Sequence, residues 1–426
     1  MTDISLDVNA LKEAAQRGIA WQKRAQQMDP SLPEYGALRN DYDMGERQWH
    51  YYEPLWHTAQ ALRAWLALGE KVDSPHVQAA IDYISRSILD CPETPFLHGA
   101  YMRPDGRRRG ELATTTLTDA IPGIVDAWLI SEDKRLLAAL ERASSWLFNH
   151  ARDPKTGFYF SFFNGKTGEV SPHDTYNCAG HPEYADKRPE SEGASLLLLG
   201  RLFRHAGLEQ SFHKILDYQA EDQCEDGIWW HWSCNRVNPK LAHGRYNLWI
   251  AHAMLDGYLA FGDKRYLEAA RKTAEFYRRA QQLDGMIPYC IAPDGKGYAF
   301  QVCGSGIAMS AMLWLRLLHF QWDERLAEHL LLSVRFLLST QYGEDFPEPA
   351  LRGAFFESSQ LTPHTGFSCV RVRDIATTFS LQLISRCLKL MEISGCGTLE
   401  ECLGQHKAFP LIPWAADRLI WPQSES

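Results

Sequence analysis

From Asp263 to about Gln282 apolar residues recur at three- and four-residue steps, with Leu267, Ala270, Ala274 and Tyr277 separated by Lys and Arg. That spacing predicts an amphipathic helix. A breaker follows, Leu-Asp-Gly-Met-Ile-Pro-Tyr at 283–289, then a Gly-rich loop. A second helical pattern from about Ser305 to Phe320 is nearly all apolar, with small residues at Ala308, Ser310 and Ala311. An apolar helix needs cover on most sides, so one such hairpin cannot stand alone.

The unit recurs. Asp133-Lys134-Arg135 and Asp323-Glu324-Arg325 open runs like that at Asp263-Lys264-Arg265. Gly-plus-aromatic stretches follow at Gly157-Phe158-Tyr159, Gly227-Ile228-Trp229-Trp230, Gly285-Met286-Ile287-Pro288-Tyr289 and Gly353-Ala354-Phe355-Phe356. Repetition at this length predicts stacked supersecondary units.

Taken in order, the pattern predicts twelve helices. They span 6–28, 53–68, 74–90, 118–130, 133–151, 192–206, 208–221, 247–261, 263–282, 305–320, 323–341 and 374–393. Odd helices are amphipathic and even ones apolar. Tight turns lead from even to odd, and long aromatic loops lead from odd to even. The longest loop is 152–190, a length usually tied to function. The closed solution is an all-α (α/α)6 toroid of six hairpins, residues 1–394. Its even helices stand inside, and all the long loops gather at one rim. An open helical solenoid is the alternative. Residues 395–426 are expected as an irregular tail on the toroid.

Composition narrows the function. The chain has 426 residues, 45% hydrophobic, with net charge −9. Without a basic block, nucleic acid is not the expected partner. No apolar run approaches the roughly 18 residues of a membrane span, so no membrane partner is expected. Met1–Ala10 shows no apolar signal core, and the ten Cys are scattered, so a cytoplasmic location is expected. No Walker loop, dinucleotide fingerprint or Gly-x-Ser-x-Gly motif appears. Cys178 and His181 lack a second pair at zinc spacing. No cofactor and no metal are therefore expected.

The expected inner N-termini carry Glu53, Asp119, Glu192, Asn247, Ser305 and Asp374. Carboxylates in first turns are ordinary capping. Four of them converging on one pocket is also how glycosidic bonds are protonated and broken. The loops bring His50, Trp56 and His57 beside Glu53. They bring Trp229, Trp230, Trp232 and Arg245 ahead of Asn247, and Asp174, Tyr176, His181 and Arg188 within the longest loop. Aromatic faces suit sugar rings, while Arg, His and Asn suit hydroxyls and carboxylates. The competing reading of the Trp cluster is a rim core, and that of Arg107-Arg108-Arg109 is a solvated basic turn.

The hairpin plan with Thr118-Asp119-Ala120-Ile121-Pro122 and His173-Asp174 resembles the six-hairpin glycosidases, above all the unsaturated glucuronyl and rhamnogalacturonyl hydrolases. That resemblance implies a catalytic Asp at Asp119 and another at Asp174. The chain departs from it in two places. Thr118 replaces the first Asp of an Asp-Asp pair, and Arg188-Pro-Glu-Ser-Glu192-Gly193 stands where Trp-x-Arg-Gly is expected. The expectation is a glycoside hydrolase acting on an acidic oligosaccharide, with Asp119 as acid or base and Asp174, Glu53 or Glu192 as partner. The alternatives are a sugar epimerase using His57, His181, His243 or His252, a polysaccharide lyase, or a glycan-binding protein without catalysis.

Overall fold

The repeated Asp-x-Arg opening is a helix start. Asp133, Asp263 and Asp323 each accept the backbone N–H two residues on, from Arg135, Arg265 and Arg325. Each Arg then folds back onto its own Asp, at 2.7, 2.6 and 3.0 Å. The side-chain oxygen satisfies an orphan donor of the first turn. Each of the three motifs begins an outer helix.

The computed structural model describes residues 4–104, 106, 108–172, 186–188, 194–232, 241–357 and 371–421. The outer helices are α1 (Val8–Ala25), α3 (Pro75–Ser87), α5 (Lys134–Trp146), α7 (Ala206–Asp222), α9 (Lys264–Ala280) and α11 (Glu324–Ser339). The inner helices are α2 (Pro54–Ala67), α4 (Thr114–Ser131), α6 (Ser195–Leu202), α8 (Tyr246–Phe261), α10 (Gly304–Phe320) and α12 (Asp374–Ser394). In α9 one face is buried, from Tyr266 through Tyr277 to Ala280. In α10 every residue from Gly304 to Leu318 is buried. Helix α2 packs on α4 and on α12, α4 packs on α6, and α10 packs on α8 and α12, so the inner helices follow one another around the ring. The fold is the (α/α)6 toroid. None of its helices is long and apolar enough to cross a membrane.

A second repeat, invisible in the periodicity, locks the outer ring. Near the end of four outer helices stands a Gln, at 26, 223, 281 and 341. Its amide donates to the carbonyl of a following Gly, at 36, 227, 285 and 353, and to a carbonyl on the next outer helix. The Gly lies flat on that neighbour. A Cβ on Gly285 would stand 2.3 Å from the Leu332 oxygen of α11, and one on Gly353 would stand 2.4 Å from the Arg17 oxygen of α1. Both have positive φ, 96° and 90°, which an L side chain rarely adopts. Gly353 on α1 joins the last hairpin to the first.

Three expectations change. Helix α4 begins at Thr114 rather than 118, because the strand Glu111–Ala113 feeds straight into it. Asp119 therefore lies in its second turn. Pro122 inside α4 lacks an N–H for the Thr118 carbonyl, and Ser195 of α6 supplies the donor instead, at 2.5 Å. Helix α6 is short and ends at Leu202 rather than 206, and α7 starts at Ala206. The loops before inner helices are also not wholly irregular. Asp41–Asp43 pairs antiparallel with Gln48–His50 and with Arg371–Arg373, and Ala242–His243 pairs with Pro288–Ile291. These short ladders satisfy backbone groups that a crowded rim would otherwise strand.

The other end of the ring is closed by the tail, through α13 (Leu399–Leu403) and α14 (Asp417–Ile420). Helix α14 packs on both α6 and α8. Trp414 lies under two guanidinium groups, Arg63 at 4.3 Å and Arg386 at 4.4 Å from its ring. Trp414 lines a small cavity of about 50 Å³ together with His252, Asp256, Arg316 and Asp417.

Candidate functional site at the rim

The inner helices start at the rim, and there the side chains meet. Helix α2 carries Trp56 and His57 at its start. Trp56 reaches Trp249 of α8 at 5.9 Å between ring centroids, nearly perpendicular. These two indoles meet inside the ring and form a floor. Rings continue from it to both sides. His57 touches Trp56 at 4.4 Å, Tyr246 touches Trp249 at 4.8 Å, and His243 stacks on Tyr246 at 4.0 Å.

Both histidines are buried, and their outer nitrogens have no partner among the described residues. Their inner nitrogens differ. His57 Nδ1 lies 2.7 Å from Asp374 Oδ1. A carboxylate only accepts, so Nδ1 carries the hydrogen, and the tautomer this fixes has its lone pair on Nε2. Asp374 is fully buried and also accepts the Thr378 hydroxyl at 3.0 Å. His243 Nδ1 instead accepts the Arg245 backbone N–H at 3.2 Å. Its hydrogen is therefore on Nε2. Burial, with Arg245 and Arg373 nearby, pushes His243 well below the usual imidazole range, so this ring stays neutral. One histidine offers a lone pair and the other an N–H.

The carboxylates around them are largely engaged. Glu53 binds Arg103 at 3.0 Å. Glu357 is fully buried, bound to Arg245 at 2.9 Å and to the Ser305 N–H at 2.7 Å. Burial raises the Glu357 carboxyl, against the pull of Arg245 and Ser305. Asp41 lies 3.3 Å from Arg373. The guanidinium groups of Arg373 and Arg103 lie 4.6 and 5.6 Å from the Tyr52 ring centroid, and that ring meets His57 at 6.4 Å, steeply tilted to it. The Glu53 charge, then burial, push its phenol above the usual range.

Of the residues expected to act, Trp56, His57, Arg245 and Asp374 come together here. Asp119 is 8% exposed on α4, and its carbonyl receives the Gln60 amide of α2 at 2.8 Å. Glu53 does not cap α2. Its φ of 50° is left-handed, and its side chain makes no cap bond. Asp174, Tyr176, His181 and Glu192 lie outside the described residues. Arg188 is placed by its backbone alone, paired with Tyr159.

Other expectations are corrected. Trp229 is fully buried, and its indole donates to the Gln219 carbonyl at 2.6 Å. Trp232 is 1% exposed. Neither has a face open to a sugar, and both belong to the rim core. Trp230 turns outward to Asp226 and Phe276. Asn247 is fully buried and accepts the Trp229 N–H at 2.8 Å, which makes it a tie between loop and helix. His50 faces Glu46 at 3.1 Å in an exposed hairpin. His252 points to the closed end, where it lines the cavity. Arg108 is held locally by Glu111 and the Phe162 ring.

Sequence reasoning missed Tyr52, Arg103, Glu357 and Arg373. A signal existed for Arg373, which directly precedes Asp374. Glu357 follows a Gly-plus-aromatic stretch but gives no sign of its burial.

No protein-family profile matches the chain, and no curated protein matches it. Solved structures do match in fold. An unsaturated glucuronyl hydrolase specific for heparin superposes with TM-score 0.64 at 13% identity, over 92% of this chain and 99% of its own. Cellobiose 2-epimerase from Bacillus thermoamylovorans B4167 gives 0.65 at 10% identity, over 89% and 100%. A D-mannose isomerase gives 0.59 at 14%, over 88% and 97%.

Proposed function

We propose that this protein is a sugar-converting enzyme that moves a proton beside the carbonyl of a reducing sugar, interconverting aldose and ketose. The observation that carries the reading is the pair of buried histidines with opposite hydrogen placement. His57 is the base. Its Nε2 takes the proton from C2, the C–H electron pair forms the C1–C2 double bond, and the carbonyl pair moves to O1. Asp374 orients the ring and stabilises the imidazolium. A proton then passes from the C2 hydroxyl to O1. His57 returns its proton to C1, and O2 closes the new carbonyl. His243 stays neutral and donates its Nε2–H to the oxygen that gains charge, so it polarises without titrating. One base serving two adjacent carbons favours isomerisation over inversion. Likeness in fold to a D-mannose isomerase and a cellobiose 2-epimerase supports the reading.

The test is incubation with a panel of aldoses and reducing disaccharides in D2O, followed by NMR. Deuterium at C2 together with a ketose product is expected, and His57→Gln should abolish both. Absence of exchange on every sugar would overturn the reading.

A second reading is hydrolysis of an acidic oligosaccharide by Asp119, with Asp174, Glu53 or Glu192 as partner. It is favoured by three arginines at the rim, Arg103, Arg245 and Arg373, and by likeness in fold to a glucuronyl hydrolase. Release of a uronate from such an oligosaccharide, lost in Asp119→Asn, is its signature.

A further inference from the structure

Tyr52 stands in the rim cluster and has no part in the proton transfer above. Tyr52 is 38% exposed, the most open aromatic of the cluster among the described residues. No described residue hydrogen-bonds its hydroxyl. The guanidinium groups of Arg373 and Arg103 lie over its ring, 4.6 and 5.6 Å from the centroid.

Its backbone is fixed from both sides. The fully buried Asn40 accepts the Tyr52 N–H at 2.8 Å and donates to the Tyr52 carbonyl at 2.6 Å. The next residue, Glu53, sits in the left-handed region, which a non-glycine residue rarely occupies. Strain of this kind persists where the surroundings over-determine it, and it gathers at ligand sites. The strained Glu53 holds Arg103, and Arg103 lies over the Tyr52 ring. The arrangement fixes one phenol, flanked by two cations, 6.4 Å from His57 between centroids.

We propose that Tyr52 is a catalytic residue whose hydroxyl donates a hydrogen bond to the enediolate oxygen formed when His57 removes the C2 proton. The inference rests on the isomerase reading. Tyr52 keeps its proton throughout. Two guanidinium groups polarise it toward donation, and the Glu53 carboxylate holds the proton in place. A donor fixed in advance acts most on charge that develops in the transition state.

The test is Tyr52→Phe, which keeps the ring and both guanidinium contacts and removes one oxygen. In the D2O assay kcat should fall by about 10²–10³-fold, the range for losing one such donor. The melting temperature should hold. An aldonohydroxamate, which imitates the enediolate, should lose inhibition in parallel. A sugar alcohol, which carries no such charge, should bind within about threefold, as a donor specific to the transition state requires. Exchange by Tyr52→Phe near the wild-type rate overturns the role of Tyr52 alone. Absence of exchange in the wild-type protein removes the isomerase reading, and Tyr52 falls with it. A purely structural role would lower the melting temperature and weaken both inhibitors equally, which also overturns the proposal.

Discussion

From full burial the Asp374 carboxylate bonds to His57 and to Thr378, and the bond to His57 fixes which nitrogen of that ring is bare. Asp374→Asn keeps the shape but permits the wrong hydrogen placement. Under the isomerase reading, turnover should fall by about 10²–10⁴-fold with little change in fold, measured by the same exchange assay. Asp119→Asn separates the two readings. It should leave isomerisation within a few fold, whereas hydrolysis would lose at least about 100-fold. His252 gives a stability prediction. It is held at about 3, chiefly by burial and then by the Arg316 charge. Below its ordinary value near 6.5, the unfolded chain binds a proton that the folded chain refuses. Stability therefore falls as pH drops from 6.5 toward 3, by up to about 1.4 kcal/mol per pH unit for this group. The buried carboxyls Asp126, Asp256 and Glu357 are raised, so they act with the opposite sign above the ordinary carboxylate range. The comparison that isolates His252 is the melting temperature of His252→Gln against wild type from pH 7.5 to 5. The variant's curve should be flatter.

At the scale of elements, two repeats build the ring by different means. The Asp-x-Arg cap starts α5, α9 and α11 with a local bond that depends on two neighbouring residues. The Gln–Gly clamp ends α1, α7, α9 and α11 and reaches the next hairpin. Gly353→Ala is the sharpest probe, because it forces a Cβ into a positive-φ residue and against the α1 backbone. It should destabilise by about 2–3 kcal/mol, read as a lower urea midpoint. Gln281→Leu should lower stability by about 1–3 kcal/mol, because its amide donates to the Gly285 and His329 carbonyls and to the Ser333 hydroxyl in a buried site.

On the scale of the whole molecule, the ring has two unlike ends. The rim gathers the histidines, Tyr52 and the arginines. The other end is filled by Trp414 and by the ion pairs Arg63–Asp126, Arg316–Asp256 and Arg386–Asp417. Trp249 lines the cavity of that end and on its other side meets Trp56, at the start of α2. Trp414→Ala should therefore cost about 3 kcal/mol of stability and leave turnover at 20 °C near wild type, since the floor separates it from the rim. A large loss of turnover in folded protein would show that the two ends are coupled. The toroid itself was legible, because a six-fold alternation of one-faced and all-apolar helices has few closed solutions. The capping reading of Glu53 and the sugar-facing reading of Trp229 failed for a shared reason. A residue's position beside a helix start does not say whether it turns to the helix, to the cavity or to the core.

The order of amino acids by itself determined where chain segments are helical, which helices lie inside and where each hairpin starts. Those properties follow from period, apolarity and neighbours two to four residues apart. The tertiary structure alone decided the chemistry at the rim. His57 and Asp374 are 317 positions apart, and Arg245 meets Glu357 from 112 positions away. Whether an imidazole bares a lone pair or an N–H depends on the atom facing its other nitrogen. For His243 that atom is the N–H of Arg245, two residues on, but for His57 it is a carboxylate brought there by ring closure, which no local spacing encodes.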